Sequence, residues 1–202
     1  MASFKALVAG ILFASTAFAQ PAAPPRPPVV NPAKALEGPA LRAALLEGGF
    51  NLYVRHAQQG GPQQEKPPCT AVNLLPVGEA QAKALGEALH RLAIPIGRVR
   101  SSPFCRAIET ARLLGYGEPE LAPGLALSSP ETPELHAARA KILAEAAPPR
   151  SNTLLVSHGH GSLVEAERMF LDLVEVIVYR PDGHGGADPV ARIRVSEWDA
   201  LR

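Results

Sequence analysis

The chain has 202 residues, 47% of them hydrophobic and 19% charged, with a formal net charge of +1. That length suits one compact domain with a single core and is too short for two ordinary ones. Charges that nearly cancel give no reason to expect nucleic acid or an anionic membrane as partner, so any affinity for an anionic group has to be local.

Residues 1–19 read as a cleavable export signal: Lys5 is the positive start, residues 6–14 are apolar, and Ala17-Phe18-Ala19 has the small-x-small form of a cleavage site, with the cut after Ala19. The apolar run falls short of the roughly 20 residues a membrane span needs. No stable membrane anchor is therefore expected after cleavage, and Gln20 stands where a lipoprotein would need cysteine. The mature protein would be formally neutral and periplasmic or secreted. Residues 20–35 form a proline- and alanine-rich linker of extended, polyproline II character. Residues 36–202 are the folded domain.

Leu41, Leu45 and Leu46 recur at helical spacing after Pro39, and Gly48-Gly49 ends that helix. Residues 50–54 form a buried strand, and residues 60–68, rich in Gly, Pro and Gln, a surface loop. Over residues 78–92, Ala82, Leu85, Leu89 and Leu92 share one face, with Glu79, Lys83, Glu87 and Arg91 largely elsewhere, which predicts an amphipathic helix. A strand around Val99 is followed by a helix over residues 105–114 that stops near Gly115. Another helix is expected over residues 137–147, closed by Pro148-Pro149, and then a strongly apolar central strand over residues 153–156. A helix ending near Phe170, a strand over 176–179, a Pro-Asp-Gly turn and a last strand over 190–195 complete the chain. Strands alternating with helices predict an α/β fold, a three-layer α/β/α sandwich with a mostly parallel central sheet, and a monomer by default.

Export also governs how Cys69 and Cys105 read. Two cysteines in an oxidising compartment are better explained as a disulfide than as two small buried hydrophobes. Closing so long a loop is worth roughly 4 kcal/mol in the chain-entropy account.

Three segments fall at the carboxyl ends of predicted strands, where open α/β sheets bind their ligands. They are Leu52-Tyr53-Val54-Arg55-His56-Ala57-Gln58, the block Ser101-Ser102-Pro103-Phe104-Cys105-Arg106-Ala107-Ile108-Glu109-Thr110-Ala111, and Leu154-Leu155-Val156-Ser157-His158-Gly159. Each alone is a weak signal, whose plain reading is a surface basic pair or a stray His-Gly. All three in order, each after a strand, are far more specific.

With these segments in place the sequence resembles the histidine phosphatase superfamily, which includes the phosphoglycerate mutases. That family carries Arg-His-Gly after its first strand, an Arg in a Ser-Ser-Pro-x-x-Arg-Ala-x-x-Thr-Ala block, and a late His-Gly. The matching positions here are Arg55, His56, Arg106 and His158, with Ala57 in place of the usual glycine. The resemblance implies a phosphoglycerate mutase-like fold and a phosphohistidine formed on His56. Arg55, Arg106 and His158 would hold the phosphoryl group of a small phosphorylated substrate, without cofactor. Guanidiniums suit that task because their fork matches phosphate oxygens. The expected chemistry is hydrolysis of phosphate monoesters or related phosphoryl compounds, envelope sugar phosphates being one candidate class. A binding module that keeps the site but has lost turnover is the rival.

No metal is expected, since His158 and His160 have only Glu165 as a nearby carboxylate and meet no ligand spacing. His160 lines the rim, caps the next helix or touches phosphate, and the sequence leaves this open. His90 reads as an exposed helix-end residue, His136 and His184 as solvent-facing. Two departures from the family stand out. The Leu-x-Glu general acid has no counterpart in residues 121–128, although Glu131 and Glu134 follow shortly after. Without that acid the enzyme would favour phosphohistidine or anhydride substrates. The family's Leu-Thr-x-x-Gly is here Leu74-Leu75-Pro76-Val77-Gly78, which removes a helix cap.

Overall fold

The structure, a computed structural model, describes residues 32–60, 67–70, 73–128, 132–159 and 171–202. The expected export signal, most of the expected linker, Glu131, His160, Glu165 and the helix expected before Phe170 lie outside the described residues.

Strands β1 (Asn51–Arg55), β2 (Ile96–Ser101), β3 (Glu120–Leu121), β4 (Asn152–Ser157), β5 (Val176–Pro181) and β6 (Ala187–Ile193) form one sheet in the order β3-β2-β4-β1-β5-β6. β3, β2, β4 and β1 pair in parallel, while β5 runs antiparallel to both β1 and β6. The mostly parallel sheet is thus as read from the sequence, with β5 the reversed strand.

Helices α1 (Gly38–Glu47), α2 (Pro76–Arg91), α3 (Cys105–Leu113) and α4 (Pro133–Ala144) cover the two faces. Alternation along the strands decides what faces which layer. Leu52, Val54, Leu154, Val156, Val176 and Val178 point to one core with Leu41, Leu45, Leu85, Leu89, Ala107 and Ala111 of the first three helices. Tyr53, Leu155, Ile177 and Tyr179 point to the other, with Leu125, Ile142 and Leu143. β4 is buried along its whole length, as its unbroken apolar centre requires of a middle strand.

Several boundaries differ from expectation. α4 begins a turn earlier than predicted because Thr132 accepts a hydrogen bond from Leu135 N at 3.2 Å, with Pro133 starting the helix. It stops at Ala144, three residues before the predicted end, and Glu145 turns its carboxylate to Arg100 at 2.7 Å. β6 begins at Ala187 although Pro189 lies within it; this is an edge strand, where a missing N–H is tolerated. β3 was not foreseen, being only two residues long. α2 starts at Pro76 and, as its altered motif implied, has no side-chain cap at Leu75.

Candidate active site

Parallel pairing brings the three motif segments together. Register sets Arg55 beside Ser157 and Ser101 beside Val156, so β2, β4 and β1 end side by side. His56 leaves β1 with its backbone N–H on Ser157 O at 2.9 Å, and Ser102 leaves β2 with its N–H on Val156 O at 2.8 Å. Arg106 is the second residue of α3, whose positive dipole end suits an anion.

Arg106 bridges the two histidines. Its Nε donates to His56 Nε2 at 3.2 Å, and its Nη2 reaches His158 Nδ1 at 3.2 Å. The imidazole rings stand edge to face at 5.3 Å between centroids. A guanidinium has no acceptor and a carbonyl no donor, which fixes both neutral tautomers. His56 Nδ1 donates to Ala57 O at 2.8 Å, leaving a lone pair on Nε2. His158 accepts at Nδ1 and donates from Nε2 to Ser102 Oγ at 2.9 Å.

Both rings are buried. Burial is the first reason that His56 is lowered to about 4, against an ordinary value of 6.5, with Arg106 and Arg55 adding to it and the Ala57 carbonyl opposing. Desolvation is thus a larger cause than the arginine charges. His158 is lowered to about 2, again by burial first and then by Arg106, His56, Arg139 and Arg55.

The remaining sequence-predicted residue, Arg55, is half-buried and donates through Nη1 to Leu171 O. Its backbone is clamped as well, with Arg55 N on Glu175 O at 3.2 Å and Val174 N on Arg55 O at 3.1 Å. Glu175 is fully buried and paired with Arg192 at 2.8 Å, which fixes the loop that holds Arg55. Gly159 lets Arg55 pass, since a Cβ there would come within 3.2 Å of the guanidinium Nε.

The structure thus unites Arg55, His56, Arg106 and His158. The Cys69–Cys105 bridge is present, with Cα atoms 5.4 Å apart, and ends at the residue before Arg106. His90 is exposed and stacked on Tyr116 at 4.2 Å, His184 is exposed, and His136 is partly buried on α4, so only the first two lie as expected. Glu134 is exposed in the first turn of α4, and residues 121–128 carry no carboxylate.

Four supporting residues went unread although their motifs were in view. Thr110, one turn after Arg106, donates to Arg106 O at 2.7 Å and accepts from Ala57 N at 3.0 Å. Glu109 accepts from Asn73 N at 2.9 Å and Leu74 N at 3.2 Å. Phe104 packs edge-on against His158 at 5.0 Å and lies under the Arg106 guanidinium at 4.5 Å. Ser102 holds the far nitrogen of His158. Their signal was the helical spacing and the repeated hydroxyls of the second segment.

The profile of the histidine phosphatase superfamily (branch 1) matches residues 52–126, which span the first two motif segments. Over that stretch the chain is similar to the histidine phosphatase superfamily. Its fold is shared with solved structures. The protein histidine phosphatase SixA, complexed with tungstate, has a TM-score of 0.55 at 19% identity, covering 73% of this chain and 98% of that one. Phosphoserine phosphatase from Entamoeba histolytica, in complex with 3-phosphoglyceric acid, gives 0.52 at 16% identity, with 76% and 99% covered. The product of open reading frame Rv3214 from Mycobacterium tuberculosis gives 0.50 at 20% identity, with 71% and 96% covered. Comparison with curated protein sequences gives no match.

Proposed function

We propose that this protein is a member of the histidine phosphatase superfamily, an exported phosphatase that acts through a phosphohistidine on His56. One observation carries the reading: His56 is neutral and buried, with a lone pair on Nε2 that faces the donors of Arg106. A phosphoryl group arriving between the two histidines takes over those guanidinium donors, because a dianion is the better acceptor. Nε2 is then free to attack phosphorus. The P–N bond forms as the P–O bond to the leaving group breaks, and water later cleaves P–N to release phosphate. Arg55, Arg106 and His158 meet the charge that spreads over the phosphoryl oxygens. A module that only bound phosphate would have no use for a nucleophilic nitrogen so prepared.

The export pattern of residues 1–19 and the Cys69–Cys105 bridge support a periplasmic or secreted location. No helix among the described residues is long and apolar enough to cross a membrane.

A second reading concerns the leaving group. With no carboxylate in residues 121–128, protonation of the departing oxygen lacks the family's donor. Leaving groups that depart unaided, such as phosphohistidine, phosphoanhydrides and phenols, are then favoured over alkyl and sugar esters.

The test is an acid-labile, base-stable phosphoenzyme after brief incubation with labelled substrate. His56→Ala should lose the label and lower turnover roughly 10³-fold or more. Full turnover by that variant would end the covalent reading. Chelation should leave the rate unchanged, the positive charge being supplied by Arg55 and Arg106.

A further inference from the structure

His158 is held by one group that can only donate and by another that can donate or accept. Arg106 Nη2, at 3.2 Å from Nδ1, can only donate, so the proton of the neutral ring sits on Nε2 and goes to Ser102 Oγ at 2.9 Å. Ser102 is fully buried and its Oγ also takes the N–H of Phe104 at 3.3 Å. The edge-on ring of Phe104 holds the imidazole plane between them.

A fully ionised phosphoryl oxygen also has a single competence, that of an acceptor. For Nδ1 to bind it, that nitrogen must carry the proton. Adding a second proton to the ring is opposed by burial and by the surrounding arginines, which hold His158 at about 2. The neutral route is exchange through solvent water: Nδ1 takes one proton from water, Nε2 returns one to it, and the ring's charge is unchanged. The bare Nε2 then needs a donor, and a serine hydroxyl can turn its hydrogen to supply one.

We propose that Ser102 is a positioning residue that sets the tautomer of His158, accepting from Nε2–H in the geometry seen here and donating to Nε2 when a phosphoryl group takes Nδ1–H. A hydroxyl serves both states, whereas alanine serves neither. The inference rests on the phosphate reading of the site but goes beyond it, since that reading requires only that His158 donate.

The test is ¹⁵N NMR of histidine-labelled, disulfide-intact protein at pH 7, with and without inorganic phosphate, alongside calorimetry of phosphate binding. His158 should show a pyrrole-like Nε2 and pyridine-like Nδ1 alone, and the reverse when phosphate is saturating. Ser102→Ala should weaken phosphate binding roughly tenfold, as expected for one lost hydrogen bond to a buried acceptor, and should lose the clean reversal. Phosphate bound with the tautomer unchanged, or with both nitrogens protonated, overturns the role of Ser102 and leaves the phosphate site standing. No phosphate binding by calorimetry overturns both. If Ser102→Ala does not fold, the two wild-type spectra decide.

Discussion

His56 and His158 refuse protons that the same side chains would accept in an unfolded chain. From the ordinary value of 6.5 down to about 4, the unfolded state takes up a proton that native His56 does not, so stability falls as the solution is acidified through that window. His158, at about 2, extends the loss to lower pH. Urea midpoints should therefore rise with pH between about 4 and 6.5, and His56→Gln should reduce the slope by about half, His158 keeping its own share. An equal slope in both proteins would place the effect elsewhere. At this scale the sequence was most informative where motifs follow strands: that Arg55, His56, Arg106 and His158 would come together was legible because each stands at the carboxyl end of a strand or at the helix start after one. Thr110 and Glu109 were not, because their work is to hold backbone, and many residue types can do that in some other geometry. Glu175 was invisible for a further reason: its partner Arg192 is far along the chain, on a strand beyond a turn.

Among the elements, α3 concentrates the dependencies of the site. Its first residue, Cys105, is bonded to Cys69 and its second is Arg106, so the bridge anchors the approach to the guanidinium that joins the two histidines. Reduction should lower the melting temperature by on the order of 10 °C, from roughly 4 kcal/mol of loop closure in a domain of this size. The Michaelis constant should rise with it, and a reduced protein with unchanged midpoint and kinetics would show the bridge to be idle. α2 enters the site through Gly78, where a Cβ would stand 2.1 Å from Gln58 O, two residues past His56. Gly78→Ala must push the helix start away from that loop, and is expected to lower turnover more than tenfold while the far end of the helix keeps its amide protection. Hydrogen exchange together with kinetics checks both halves. The helices were legible where a long apolar stripe fixed them, as in α2. α4 was misplaced by a turn because its boundary is set by the Thr132 cap rather than by periodicity. β3 carries no pattern at all, since two residues cannot show one.

For the whole molecule, the order of motifs along the chain already implied parallel strands ending together, and the fold follows. What pattern could not supply was which strand is reversed, because β5 is as apolar as its parallel neighbours. Turnover should fall steeply as the leaving group becomes more basic, because general acid help worth roughly 10²- to 10⁴-fold is missing from residues 121–128. If Glu131 supplies the proton instead, alkyl phosphates will be good substrates and Glu131→Gln will slow them far more than aryl phosphates. A flat dependence in both proteins would point to another donor. The segment ahead of α1 has a role that chemistry does not reveal. Leu36 N donates to Val190 O at 2.7 Å and Lys34 pairs with Asp188 at 2.7 Å, so the chain entering the domain lies along β6, the outer edge of the sheet. Open edges invite another copy's strand. Pro189 already denies a donor there, and the entering chain takes up an acceptor. A domain cut back to start at Gly38 should keep its active site yet self-associate on storage, with light scattering rising while the full-length protein stays clear. The stretch that looks like a mere tether would then be what keeps the molecule apart from its own copies.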